Sequence, residues 1–148
     1  MTRPADLKLD VTRVAPRLYI GSAPLPGGGL ARAGFRVAFF CAQEYQPTAL
    51  DFPGLGTIVQ CGFDDADRPP TSKEAEIIER AARRVAHFAR GGHRTLVSCA
   101  AGRNRSGVVL ARALTLLGFP AKGVVHHIRT VRPLALTNEH FVKYALTH

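Results

Sequence analysis

The chain has 148 residues, 46% of them hydrophobic, and a formal net charge of +9 carried mostly by arginine. That length supports one domain with a substantial core, and that composition excludes a disordered chain. No apolar run approaches the ~18 to 20 residues a membrane span requires. Taken in chain order, residues 17–22 (RLYIGS) alternate and predict an early strand. Residues 24–29 end in three glycines and predict a loop, and residues 30–34 one short helical turn. The nearly continuous apolar run at 35–41 (FRVAFFC) predicts a strand covered on both faces. After a Pro- and Gly-containing connection at 47–56, residues 57–63 (TIVQCGF) predict another strand, and 64–71 (DDADRPPT) an exposed loop.

Ser72 is the expected N-cap of the next helix, with Glu74 and Glu76 favourable in its first turn. Ile77, Ile78, Ala81, Ala82, Val85 and Phe88 follow helical spacing as far as Arg90, and Gly91-Gly92 stops the helix. Residues 94–99 (RTLVSC) predict a strand, 100–105 a tight loop, and 106–117 an apolar helix ended by Gly118 and Pro120. Two further helices are expected over 121–131 and 137–146. Strands alternating with helices predict an α/β fold: a three-layer α/β/α sandwich around a mostly parallel sheet of four to five strands, as a single domain over 1–148. Residues 1–10 lack the apolar segment of a secretory signal, so a cytoplasmic protein is expected.

Three cysteines, Cys41, Cys61 and Cys99, include no Cys-x-x-Cys pair and suit neither a disulfide framework nor a zinc cage. No metal and no cofactor is expected. The basic balance fits an acidic partner such as a phosphorylated protein or another phosphate ester. No basic block interleaved with aromatics favours nucleic acid, and nothing sets an oligomeric state.

The segment Cys99 to Gly107 reads Cys-Ala-Ala-Gly-Arg-Asn-Arg-Ser-Gly, directly after an apolar strand and before a helix. In open α/β sheets ligands bind at such strand-to-helix loops. The small residues Ala100, Ala101 and Gly102 let the backbone curl so that N–H groups converge, and the helix adds its own free N–H groups and positive dipole end. It is not a Walker loop, because Val108 and Val109 stand where Lys and Ser/Thr are needed. Arg105 can fold over this anion cradle and bind two phosphate oxygens at once. A cysteine set against a helix N-terminus and a cation is held as the nucleophilic thiolate, which makes Cys99 the expected nucleophile. The loop backbone, with Arg103 and Asn104, is the expected substrate-binding surface.

The Cys-x5-Arg-Ser pattern at 99–106 resembles the signature loop of the cysteine-based protein-tyrosine phosphatase superfamily, in particular its dual-specificity branch. Residues 17–22 resemble that family's opening strand, and 132–141 (RPLALTNEHF) its late Arg-Pro…Asn…Phe segment. The resemblance implies a phosphatase acting on phosphotyrosine, and on phosphoserine or phosphothreonine, through a phosphocysteine intermediate. It implies that Asn138 steadies the signature loop and that Ser106 donates to the sulfur as it leaves. It also implies a general acid on a loop just before a helix, here residues 64–71, with Asp65 the best fit by its distance to the helix start and Asp67 the runner-up; Asp64 lies in the same trio.

One departure is Ser98, where the family carries histidine; it supports a non-catalytic phosphate-binding protein as an alternative. Arg103 inside the loop supports a second, a phosphoinositide or other small phosphate ester as substrate. By the same resemblance, Cys41 stands where some lipid-phosphatase relatives pair a second cysteine with the catalytic one, as a redox partner of Cys99.

Overall fold

The computed structural model describes residues 9–42 and 51–148. Part of the predicted 47–56 connection and most of the N-terminal stretch lie outside the described residues. The elements are β1 (Val11–Ala15), β2 (Leu18–Gly21), α1 (Gly29–Arg32), β3 (Val37–Phe40), β4 (Thr57–Gln60), α2 (Ser72–Arg90), β5 (Thr95–Ser98), α3 (Arg105–Leu116), α4 (Ala121–Val131) and α5 (Glu139–Thr147). The five strands form one sheet in the order β1-β2-β5-β3-β4. β2, β5, β3 and β4 are mutually parallel, while β1 pairs antiparallel with β2. The α/β sandwich with a mostly parallel sheet is therefore present.

β1 is a strand the sequence reading leaves out. Its burial does not alternate, and it carries exposed Arg13, as an edge strand that must resist further pairing does. β3 lies between β5 and β4 and is buried at every position, as its apolar run predicts. Val37 and Phe39 enter the core under the helices, whereas Ala38 and Phe40 join Leu30, Phe35, Phe52 and Leu96 on the opposite face. The layers are unequal: α2, α3, α4 and α5 pack over the first face, and the second is covered by the four-residue α1 and the segment holding Phe52.

α2 is capped by Thr71, one residue before the expected Ser72. Thr71 Oγ1 accepts from the Glu74 N–H at 3.1 Å, and Glu74 Oε1 accepts from the Thr71 N–H at 2.9 Å, a reciprocal capping box. The box needs Glu at the third helical position, and only Thr71 stands at that distance from Glu74. α3 is buried on all sides from Arg105 to Leu114 and forms the centre of the helical layer. Arg112 on α3 grips Glu79 of α2 through two bonds of 2.8 and 2.9 Å, and Tyr144 of α5 donates to the same carboxylate at 2.8 Å. This pins three helices together and holds Glu79 below the usual carboxylate range, chiefly through the Arg112 hydrogen bond.

Candidate active site

β5 ends at Ser98 and α3 begins at Arg105, so residues 99–104 must turn the chain through a tight loop at the C-terminal edge of the sheet. Five consecutive carbonyls of this loop are bound on its outer side. Ala100 O accepts from the Ala23 N–H (3.2 Å), Arg103 O from the Leu136 N–H (3.0 Å) and Asn104 O from the Val108 N–H (2.9 Å). Between them, Arg132 donates to Ala101 O (3.1 Å) and Gly102 O (2.7 Å). In a trans peptide the N–H points opposite to the preceding C=O. Fixing these carbonyls outward therefore turns the N–H groups of residues 101–105 inward, toward a common centre at the start of α3. That arrangement is an anion cradle.

Gly102 is required twice over. Its φ is +66°, and a Cβ there would strike the Gly21 carbonyl and lie 2.7 Å from Arg132 Nη2. Arg132 also binds Asp10 through both guanidinium ends (3.2 and 3.0 Å) and Thr12 Oγ1 (3.0 Å), which ties the loop to β1 and lowers the Asp10 pKa. The sequence reading quoted Arg132 within a matching segment but gave it no role. Its signal is an arginine directly before a proline, six residues ahead of Asn138. Leu136, whose N–H binds Arg103 O, is held at φ +56°, and Arg129 grips its carbonyl at 2.8 Å. The 132–138 segment thus acts as a rigid buttress behind the loop.

Cys99 is 3% exposed, and its Sγ lies 3.2 Å from Ser106 Oγ in the first turn of α3. Arg105 is buried, with Nη1 donating to Phe63 O at 3.4 Å, so its head lies beside the start of the 64–71 loop. Ser98 is fully buried at the end of β5. Ala101 and Arg103 stand exposed on the loop.

The three aspartates part company. Asp65 Oδ1 accepts from Asn138 Nδ2 at 2.8 Å and Oδ2 from Asn104 Nδ2 at 3.2 Å, which sets this carboxylate at the rim of the cradle. Asp67 turns away to His140 (3.0 Å), and Asp64 to Arg68 (3.6 Å). Asn138 also caps α5 by accepting from the His140 N–H (3.0 Å), while its own N–H donates to Asn104 Oδ1 (2.9 Å). The loop carrying the aspartates is closed by Glu74, which accepts from the Asp64 N–H (3.2 Å), Arg68 (2.6 Å) and Thr71. These donors, Arg68 first, hold the Glu74 pKa down to about 2.

Cys41, the redox partner of Cys99 that the resemblance implies, follows the end of β3. Its Sγ lies 3.7 Å from Cys61 Sγ, because β3 and β4 are in register and both thiols follow their strand ends on the same face. Hydrogen bonding to Cys61 and complete burial push the Cys41 pKa well above the ordinary thiol range, with the charges of Cys61 and Cys99 adding to the effect. All three cysteines are free thiols.

A tyrosine phosphatase family model matches residues 66–138, from the aspartate loop through the Cys99 loop to Asn138. No curated protein sequence matches the chain. The mouse candidate dual specificity phosphatase complexed with zinc tungstate superposes with a TM-score of 0.78 at 23% identity, covering 98% of this chain and 90% of that one. Human DUSP28 superposes at 0.76 with 24% identity, covering 94% of each chain. PTPMT1 in complex with PI(5)P superposes at 0.73 with 16% identity, covering 92% of this chain and 94% of that one. At these identities the likeness is one of fold. Together with the family match over the loop, it makes the chain similar to the cysteine-based protein-tyrosine phosphatases, with a dual-specificity-phosphatase-like fold.

Proposed function

We propose that the protein hydrolyses phosphate monoesters through a phosphocysteine on Cys99, with phosphotyrosine proteins as its first substrates and phosphoserine or phosphothreonine proteins after them. The observation that carries this reading is the Cys99 sulfur lying 3.2 Å from Ser106 Oγ at the mouth of an amide cradle whose carbonyls are all bound outward. Cys99 attacks phosphorus in line while the S–P bond forms and the P–O bond to the leaving group breaks. Asp65 gives its proton to the departing oxygen and then takes one from the water that cleaves the S–P bond. Arg105 and the inward N–H groups stabilise the equatorial phosphoryl oxygens in both steps, and Ser106 donates to the sulfur as it is released. The cradle residues Ala100 to Asn104 hold the phosphate by backbone, and Asn138 and Ser98 support the loop.

The test is phosphate release from an aryl phosphate by wild type and Cys99→Ser. Release that depends on Cys99 is expected; its absence from every aryl phosphate would make the chain the phosphate-binding protein that Ser98 suggests. Arg103, exposed on the loop, keeps phosphoinositides as the second substrate class. A panel of phosphotyrosine peptides and polyphosphorylated inositols decides between them, and a strong preference for the inositols would reverse the order proposed here.

A further inference from the structure

β2, β3 and β5 run parallel, so the residues that precede them gather at the end of the sheet away from Cys99, about 16 Å along β5. Those residues are Arg17, Arg94 and Arg36, and the backbone ties them together: the Arg36 N–H donates to Arg94 O (3.0 Å) and the Thr95 N–H to Arg17 O (2.8 Å). With Arg13, Pro16 and Tyr19 they line a depression of about 470 Å³ that contains no carboxylate among the described residues. Two of the guanidiniums are already oriented. Arg17 Nε donates to Gly92 O (3.0 Å), and Arg94 Nη1 to Ala33 O (2.7 Å), with the Arg94 head 5.4 Å from the Tyr19 ring centroid. Preset cations lose less entropy when an anion arrives.

Pro16 is shared with a second depression of about 400 Å³, walled by Val14, Leu114, Phe119, Pro120 and Val124. Phe119, in the turn after α3, is 54% exposed. The polar edge of His127, which also lines this groove, is bound to Val14 O at 2.7 Å. A basin of arginines and an apolar groove with an exposed aromatic ring therefore adjoin on one pole of the molecule.

We propose that this pole docks on an anionic phospholipid membrane, with headgroup phosphates in the basin of Arg13, Arg17, Arg36 and Arg94, and Phe119 and its groove at the acyl boundary. An anionic bilayer is the occupant that covers both halves. A soluble polyphosphate would fill the basin and leave the groove and Phe119 in water, and an acidic peptide would gain nothing from the ring. Basic side chains beside exposed apolar ones are the pattern by which proteins lie on anionic interfaces. Docking through this pole would turn the Cys99 loop away from the lipid, toward substrates standing off the surface.

The test is sedimentation of the full chain with phosphatidylcholine vesicles, with and without phosphatidylserine. Binding is expected only when phosphatidylserine is present, and it should fall as salt rises. Arg13→Glu with Arg36→Glu should lower the partition at least ~30-fold, and Phe119→Ser about 5- to 10-fold. Arg80→Glu with Arg84→Glu on α2 makes the same change in net charge away from this pole and should stay within about threefold of wild type. Thermal unfolding midpoints check that each variant is folded, and Arg36→Glu alone is the milder replacement should the double variant fail. Indifference to phosphatidylserine would overturn the proposal. So would equal losses in the two charge-reversed pairs, or full displacement of the protein from vesicles by inorganic tripolyphosphate with Phe119→Ser without effect.

Discussion

Asn138 donates its side-chain amide to Asp65 at 2.8 Å while its backbone N–H binds Asn104 of the Cys99 loop at 2.9 Å. One residue thus sets the spacing between the proposed acid and the phosphate cradle. Asp65→Ala should slow turnover of alkyl phosphates, which have poor leaving groups, by about 100-fold or more and affect activated aryl phosphates less. Asp67→Ala, whose carboxylate faces His140, should stay within about threefold of wild type. Asn138→Ala should reproduce part of the Asp65→Ala pattern and also cost about 1 kcal/mol through the lost α5 cap. Steady-state kinetics on paired alkyl and aryl substrates decides; equal effects of the two aspartate variants would remove Asp65 from its role.

Arg132 holds two loop carbonyls with one guanidinium. Arg132→Met keeps the aliphatic stem but frees Ala101 O and Gly102 O to turn inward, where they would repel phosphate. Urea unfolding should register a loss of about 2 to 4 kcal/mol, from charge-assisted hydrogen bonds at a buried site. Phosphate binding to the folded variant, measured by calorimetry, should weaken by more than tenfold.

Gly102→Ala introduces a Cβ at left-handed φ against the Gly21 backbone. Gly118→Ala is the control, since its φ is +106° but nothing lies within 4 Å of the added carbon. Denaturant titration should show about 1 kcal/mol lost at Gly118 and at least twice that at Gly102. Equal losses would mean that backbone strain alone, without close approach, governs the loop.

Glu74 gives the aspartate loop a pH dependence. Its folded-state pKa of about 2 lies below the ordinary value of 4.5, so its stabilisation is complete above pH ~4.5 and fades as pH falls toward 2. Urea melts of wild type and Glu74→Gln should differ most near neutral pH and converge as pH is lowered through that window. A constant difference would assign the Glu74 contribution to packing instead of charge.

The strands at the centre of the sheet were legible because burial on both faces leaves an apolar run, as at Val37 to Phe40. The loop was legible because Cys99, the small residues after it and Arg105 form one local pattern. What escaped were features set by distant partners. β1 is an edge strand paired on one side only, so its pattern is weak. Thr71 and Ser72 are both competent caps, and only the Glu74 geometry chooses between them. Arg132 acts on carbonyls 30 residues away, and Cys41 meets Cys61 because of strand register; neither relation is written in local spacing.

The central claim is a covalent bond between Cys99 and phosphorus. Rapid acid quenching of the enzyme with an aryl phosphate, followed by peptide mass spectrometry, should yield a phosphorylated peptide containing Cys99, and Cys99→Ser should yield no phosphocysteine and no turnover. Sustained phosphate release by Cys99→Ser, or turnover by wild type with no phosphorylated peptide at any quench time, would contradict it.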